Sequence, residues 1–96
     1  MNWDTIDFIE SLENYEFTLI FKHSPRCIIS RIVLERFENN YDIKFSYIKF
    51  FKINVIDQRK LSTTISTLYN VQHESPQILL IKDNECLYYE SHESIH

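Results

Sequence analysis

Apolar positions change period several times along the 96-residue chain. In DTIDFIESLEN, residues 4–14, Ile9 and Leu12 share a face with Phe8 beside them. That spacing predicts a short amphipathic helix with Asp4 or Thr5 as its cap. EFTLIFK, residues 16–22, is dense in aromatic and β-branched residues and predicts a buried strand, stopped by Ser24 and Pro25. From Cys27 to Asn39 the period becomes helical, with Ile28, Ile29, Ile32, Val33 and Phe37 at three- and four-residue spacings. ENNYD then supplies a stop. YIKFFKINV, residues 47–55, predicts a second buried strand. Asp57 is expected to cap a helix from Gln58 to Tyr69, with Leu61, Ile65, Leu68 and Tyr69 on one face. A loop, VQHESP, leads into a strand, QILLIK. DNE predicts a hairpin turn and CLYYES a last strand, after which HESIH reads as the start of one more helix.

The resulting order is α-β-α-β-α-β-β in one domain, residues 1–96. Strand–helix–strand units favour parallel pairing, and the closing hairpin adds an antiparallel edge. This is the arrangement of a thioredoxin-like α/β domain: a central mixed four-stranded sheet flanked by helices, with the C-terminal helix short or missing.

Composition narrows the function. The chain contains no glycine, so its tight turns fall to Asn, Asp, Ser and Pro. Gly-rich phosphate loops and dinucleotide fingerprints are excluded, because both need glycine for close backbone approach. A formal charge of −4 offers no basic stripe for nucleic acid. No apolar run approaches the roughly 20 residues of a membrane helix. The N-terminus, MNWDTIDFIE, carries acids where a secretory signal carries bases, so a cytoplasmic protein is expected. Its two cysteines, Cys27 and Cys86, are then expected as free thiols. With the four histidines they form no zinc spacing, and His92 and His96 have no partner ligands placed by sequence.

Cys27 falls where the first core strand meets the next helix. Unpaired N–H groups and the helix dipole favour an anion there, and the thiolate is the attacking species in disulfide exchange. Arg26 adds positive charge beside it, Lys22 and His23 are further candidates, and Ser30 lies one turn on with a hydroxyl for the sulfur. A free cysteine is as readily a small buried hydrophobe. Two features favour a reactive site: the helix-start position, and Pro76 directly before QILLIK. In thioredoxin-like folds a proline at that point is cis and faces the nucleophile. Lacking an N–H, it leaves an edge where the backbone of Ser75 can pair with an extended substrate.

FKHSPRCIIS, followed by HESPQILLIKDNE and SHESI, resembles the monothiol bacilliredoxin family of bacteria, small thioredoxin-like proteins linked to the thiol bacillithiol. The resemblance runs from about Trp3 to the C-terminus. It implies that Cys27 is the nucleophile and Pro76 the cis-proline. Ser30 stands where dithiol relatives hold a second cysteine. It also implies a monothiol oxidoreductase that removes bacillithiol from protein mixed disulfides, with bacillithiol as co-substrate and no tightly bound cofactor. Bacillithiolated proteins and a low-molecular-weight thiol are the implied partners. Ile28 stands where the family usually has proline or a small residue, and Pro25 where threonine is common.

His23 and His73 are further candidates for contacting the small thiol, with Ser75 and Pro76 framing the groove. Glu74 reads as a solvated loop residue. Cys86 reads as a packing residue on the last strand, too far from Cys27 to bridge. Phe45, Tyr47, Phe50 and Phe51 read as core and strand surface. Tyr88 and Tyr89 alternate across the last strand, so at least one is expected to be exposed, and a monomer or weak dimer is expected. Two other functions fit the chain: a redox-silent thioredoxin-like adaptor, and a glutathione-linked monothiol glutaredoxin. The second is disfavoured, because that family follows its cysteine and its cis-proline with glycines.

Overall fold

The computed structural model describes residues 3–5, 17–39 and 48–92. Within them the chain forms β1 (Phe17–His23), α1 (Ile28–Asn39), β2 (Ile48–Asn54), α2 (Arg59–Tyr69), β3 (Gln77–Lys82) and β4 (Glu85–Ser91). Every predicted strand is present within one or two residues of its expected bounds. The four strands make one sheet in the order β2-β1-β3-β4. β1 pairs with β2 in parallel and with β3 antiparallel, and β3 pairs antiparallel with β4. This is the mixed sheet expected from the pattern.

The sheet divides the core into two layers, as alternate side chains of a strand must. On the α2 side, Ile20, Phe51, Ile53 and Leu79 pack with Ile65, Tyr69 and Val71. On the α1 side, Leu19, Phe21, Phe50 and Ile78 pack with Val33. Trp3 extends that second layer, its ring 5.8 Å from Phe21 and 5.7 Å from Phe50 in edge-on contact. Its indole N–H donates to Glu38 Oε2 at 2.8 Å.

Four expectations need correction. Asp4 does not cap a helix. It bridges to Phe51 in parallel, with its N–H donating to Phe50 O and its carbonyl accepting from Lys52 N–H, and its carboxylate pairs with Lys49. The rest of that predicted helix, residues 6–14, lies outside the described residues, as do Phe45, Tyr47 and residues 93–96. Asp57 does not cap α2 either. Asn54 Oδ1 accepts the N–H groups of Ile56 and Asp57, so the asparagine shapes the turn, and Gln58 becomes the cap residue, its Oε1 accepting Asn54 N–H at 3.2 Å rather than a first-turn amide. The isoleucines of α1 were expected inward, yet Ile28, Ile29 and Ile32 are exposed, while Ser30 and Val33 are buried. Leu68 of α2 is likewise exposed, and Ser62 is buried in its stead.

Turns without glycine are made by Asn and Asp. Asn70 closes α2 at φ 54°, and its N–H returns to Ser66 and Thr67 carbonyls. Asp83 and Asn84 form the β3–β4 hairpin at φ 52° and 63°. These short polar side chains tolerate left-handed backbone better than other non-glycine residues.

Candidate active site

Pro25 explains how the chain leaves β1. Ser24 and Pro25 occupy the first two positions of a β-turn, where both are favoured, and Cys27 N–H closes it on Ser24 O at 3.1 Å. The Cys27 carbonyl then accepts Arg31 N–H at 3.1 Å, the first bond of α1. Cys27 therefore holds the cap position of the helix. Side-chain atoms at such a position can accept the free N–H groups of the first turn, and no acidic residue stands in that turn. The cysteine is half-buried and free, with Pro25 and Arg26 exposed on the turn before it.

Ser30 is fully buried, and the hydrogen bonds of its hydroxyl run to the turn and to β1. It accepts Ser24 N–H at 3.0 Å and meets His23 Nδ1 at 2.8 Å. Its observed part is to tie the turn and β1 to the helix. His23 is held below the ordinary histidine pKa, first by burial and then by the Lys52 and Arg31 charges, with Glu38 opposing. It lines a groove of about 640 Å³ along α1 with Ile28, Arg31, Ile32, Leu34, Glu35 and Glu38.

The second half of the site comes from the loop before β3. The Ser75–Pro76 peptide bond is cis. Lys22, next to the end of β1, pairs in register with Gln77 at the start of β3, so Pro76 and the Cys27 turn lie at one end of the sheet. Pro76 is buried, and its carbonyl accepts His92 N–H at 2.8 Å. Ser75 Oγ is shielded from solvent and has no hydrogen-bond partner among the described residues.

Lys22 does not serve the sulfur as expected. Alternation along β1 turns it to the α2 face, where it is fully buried. Its ammonium donates to Ser62 O at 3.0 Å and Ser66 Oγ at 2.6 Å, and it meets His73 Nδ1 at 3.3 Å. Loss of water lowers its pKa to about 8. His73 is held below its ordinary value by burial, then by the Lys22 and Arg59 charges. A lysine inside a buried-strand pattern, with serines four apart on the facing helix, was the available signal for this cluster.

Cys86 pairs with Ile81, four residues along β3 from Gln77. At the rise of a strand that places it about 13 Å from the Cys27 end, well past the ~7 Å a disulfide spans. Its thiol packs beside the α2-side core, donates to Tyr88 O at 3.3 Å, and has its pKa raised chiefly by burial. Among the described residues no group of His, Cys, Asp and Glu is placed to hold a metal, and no helix is long and apolar enough to cross a membrane.

Comparison with solved structures agrees with this geometry. A protein described as having a thioredoxin fold superposes with a TM-score of 0.78 at 27% identity, over 96% of this chain and 84% of its own. Thioredoxins of Malassezia sympodialis (TM-score 0.74, 10% identity) and Trypanosoma brucei brucei (0.73, 13%) each match 95% of this chain and 79% of theirs, and at those identities show the fold. The chain also matches the family model described as monothiol bacilliredoxin BrxC over residues 2–96. With its cysteine capping α1 and a serine three residues on, this thioredoxin-fold chain belongs to the monothiol bacilliredoxin family.

Proposed function

We propose that the protein removes bacillithiol from protein mixed disulfides through Cys27 alone. The Cys27 thiolate attacks the bacillithiol sulfur, a new Cys27–bacillithiol disulfide forms, and the old S–S bond breaks. The freed protein thiolate takes a proton from water. A second low-molecular-weight thiolate then attacks the Cys27 adduct, restoring the Cys27 thiolate and leaving as a small disulfide. The observation that carries this reading is the solitary half-buried thiol at the cap of α1, at the sheet end that holds cis-Pro76, with Cys86 too distant to resolve it. Arg26, exposed on the turn before the cysteine, and the first-turn N–H groups of α1 can donate to the sulfur during the exchange. Pro76, Ser75, His73 and His23 frame the approach. The reaction belongs in a reducing, bacillithiol-containing cytoplasm, with bacillithiol as co-substrate and no resident cofactor.

The test is intact mass after mixing reduced protein with oxidised bacillithiol, and with oxidised glutathione in parallel. One bacillithiol adduct on Cys27, formed faster than the glutathione adduct, is expected. Cys27→Ser should abolish exchange, and Cys86→Ser should leave most of it. Exchange by the Cys27→Ser protein would sink the assignment. The exposed Ile28, Ile29 and Ile32 of α1, the helix that starts directly after Cys27, also fit a redox-silent adaptor that only binds proteins. Absence of any Cys27 adduct near neutral pH would favour that reading.

A further inference from the structure

The cluster behind the Pro76 loop does more than fill space. An ammonium has three protons and no acceptor. Lys22 finds three acceptors: Ser62 O, Ser66 Oγ and His73 Nδ1. These lie on α2 and on the loop, so one side chain of β1 joins both. Its partners are uncharged groups and a histidine whose pKa is held down by burial and by the Lys22 charge, and among the described residues no carboxylate pairs with it. Burying an unpaired charge is costly, and a plain packing role would be better served by an apolar side chain. The loop is fastened at further points. Gln77 Nε2 donates to Gln72 O at 2.9 Å and Ser91 Oγ at 3.1 Å, and His92 N–H holds Pro76 O.

We propose that Lys22 is a positioning residue, fixing His73 with Nδ1 as acceptor and Nε2–H outward, and thereby holding the loop that ends in Ser75 and Pro76. His73 Nδ1 lies 3.3 Å from the Lys22 ammonium and 3.3 Å from Ser62 Oγ; with both as donors Nδ1 accepts, and the ring proton sits on Nε2. Nε2 lies across the ring from Lys22, and His73 borders a groove of about 520 Å³ with Thr63, Ser66, Gln72 and Tyr89. His73 thus presents a donor to that groove without adding a second positive charge. The kinetic part of this inference rests on the proposed exchange reaction, whereas the histidine part does not.

Lys22→Met keeps the stem and removes the charge, and the test reads His73 by nitrogen NMR. The wild type should show a single tautomer, protonated at Nε2. The variant should show mixed tautomers and a His73 pKa that rises, yet stays below the ordinary value because burial and Arg59 persist. With a bacillithiolated protein as substrate, KM should rise about fivefold, the worth of one ordinary hydrogen bond, with kcat little changed. Unaltered His73 signals in the variant would overturn the inference, and so would altered signals with an unaltered KM. Should the variant not fold, the wild type decides alone. The groups that face this titration are Lys22, His73 and Arg59, with Ser62 and Ser66 neutral. As Lys22 loses its proton, the His73 nitrogen signals should show a second inflection near pH 8, and a single inflection would overturn the contact. Exchange surviving in Cys27→Ser would instead remove the proposed function and leave the histidine result standing.

Discussion

Ser30 is a side chain whose value lies in what it ties together. Its buried hydroxyl accepts the Ser24 amide and meets the His23 ring, so the turn that delivers Cys27 is anchored from within the helix it precedes. Ser30→Ala would leave a shielded amide without a partner. Denaturant unfolding should then show a loss of about 1–3 kcal/mol. Cys27 adduct formation should slow as the turn loosens, and unchanged stability would show that water replaces the hydroxyl. The hairpin residue Asn84 allows a second test at this scale. At φ 63° it holds left-handed backbone, where most other residues cost about 1–2 kcal/mol. Asn84→Ala should lower the denaturation midpoint accordingly, and Asn84→Gly should not. At this scale Cys27, Pro76 and the Asn and Asp turns could be read from residue type and position. The partners of Ser30 and Lys22 could not, because they are chosen by strand alternation and helix placement across six to 51 residues of sequence.

Among the elements, α1 departs most from its pattern. Periodicity identifies residues on one face, but which apolar residues are covered depends on what the sheet offers. The hydroxyl of Ser30 and the side chain of Val33 take the inner positions, and Ile28 is left 69% exposed and Ile32 57%. Ile28 directly follows the cysteine, and both isoleucines line the groove that His23 borders. Ile32→Ser should therefore change stability by no more than about 0.5 kcal/mol while weakening exchange with protein mixed disulfides more than with small ones. Equal effects on both substrates would remove the isoleucines from protein recognition. Leu79→Ala, on the central strand β3 and fully buried, should cost about 2–5 kcal/mol in the same unfolding assay. The strands were legible almost to the residue because each is dense in aromatic and aliphatic residues and most are bounded by turn-forming Ser, Pro, Asn or Asp. The cap of α2 was not, since Asn54 competes with Asp57 for the same turn amides.

For the molecule as a whole, the buried lysine gives stability an unusual pH dependence. Lys22 releases its proton at about 8 when folded, against 10.5 ordinarily. Between those values the unfolded chain binds the extra proton, so stability should rise with pH across that window. His23 and His73, both held below 6.5, act in the same sense at lower pH, and acidification below that value should weaken the fold. Chemical denaturation at pH 5.5, 7.5 and 9.5 reads both limbs, and a flat profile from 7.5 to 9.5 would contradict the burial of Lys22. The glycine-free sequence has a further consequence at this scale, one that acts on the denatured chain. A typical protein of this length carries roughly seven glycines, and each replacement of a glycine by a residue with a β-carbon narrows the denatured ensemble by about 0.4–1 kcal/mol where the native backbone permits it. The left-handed Asn70, Asp83, Asn84 and His92 return part of that gain as backbone strain. What remains is entropy the chain never has to lose, and it offsets the strain of those turns in a small two-layer core that holds a polar cluster in its midst.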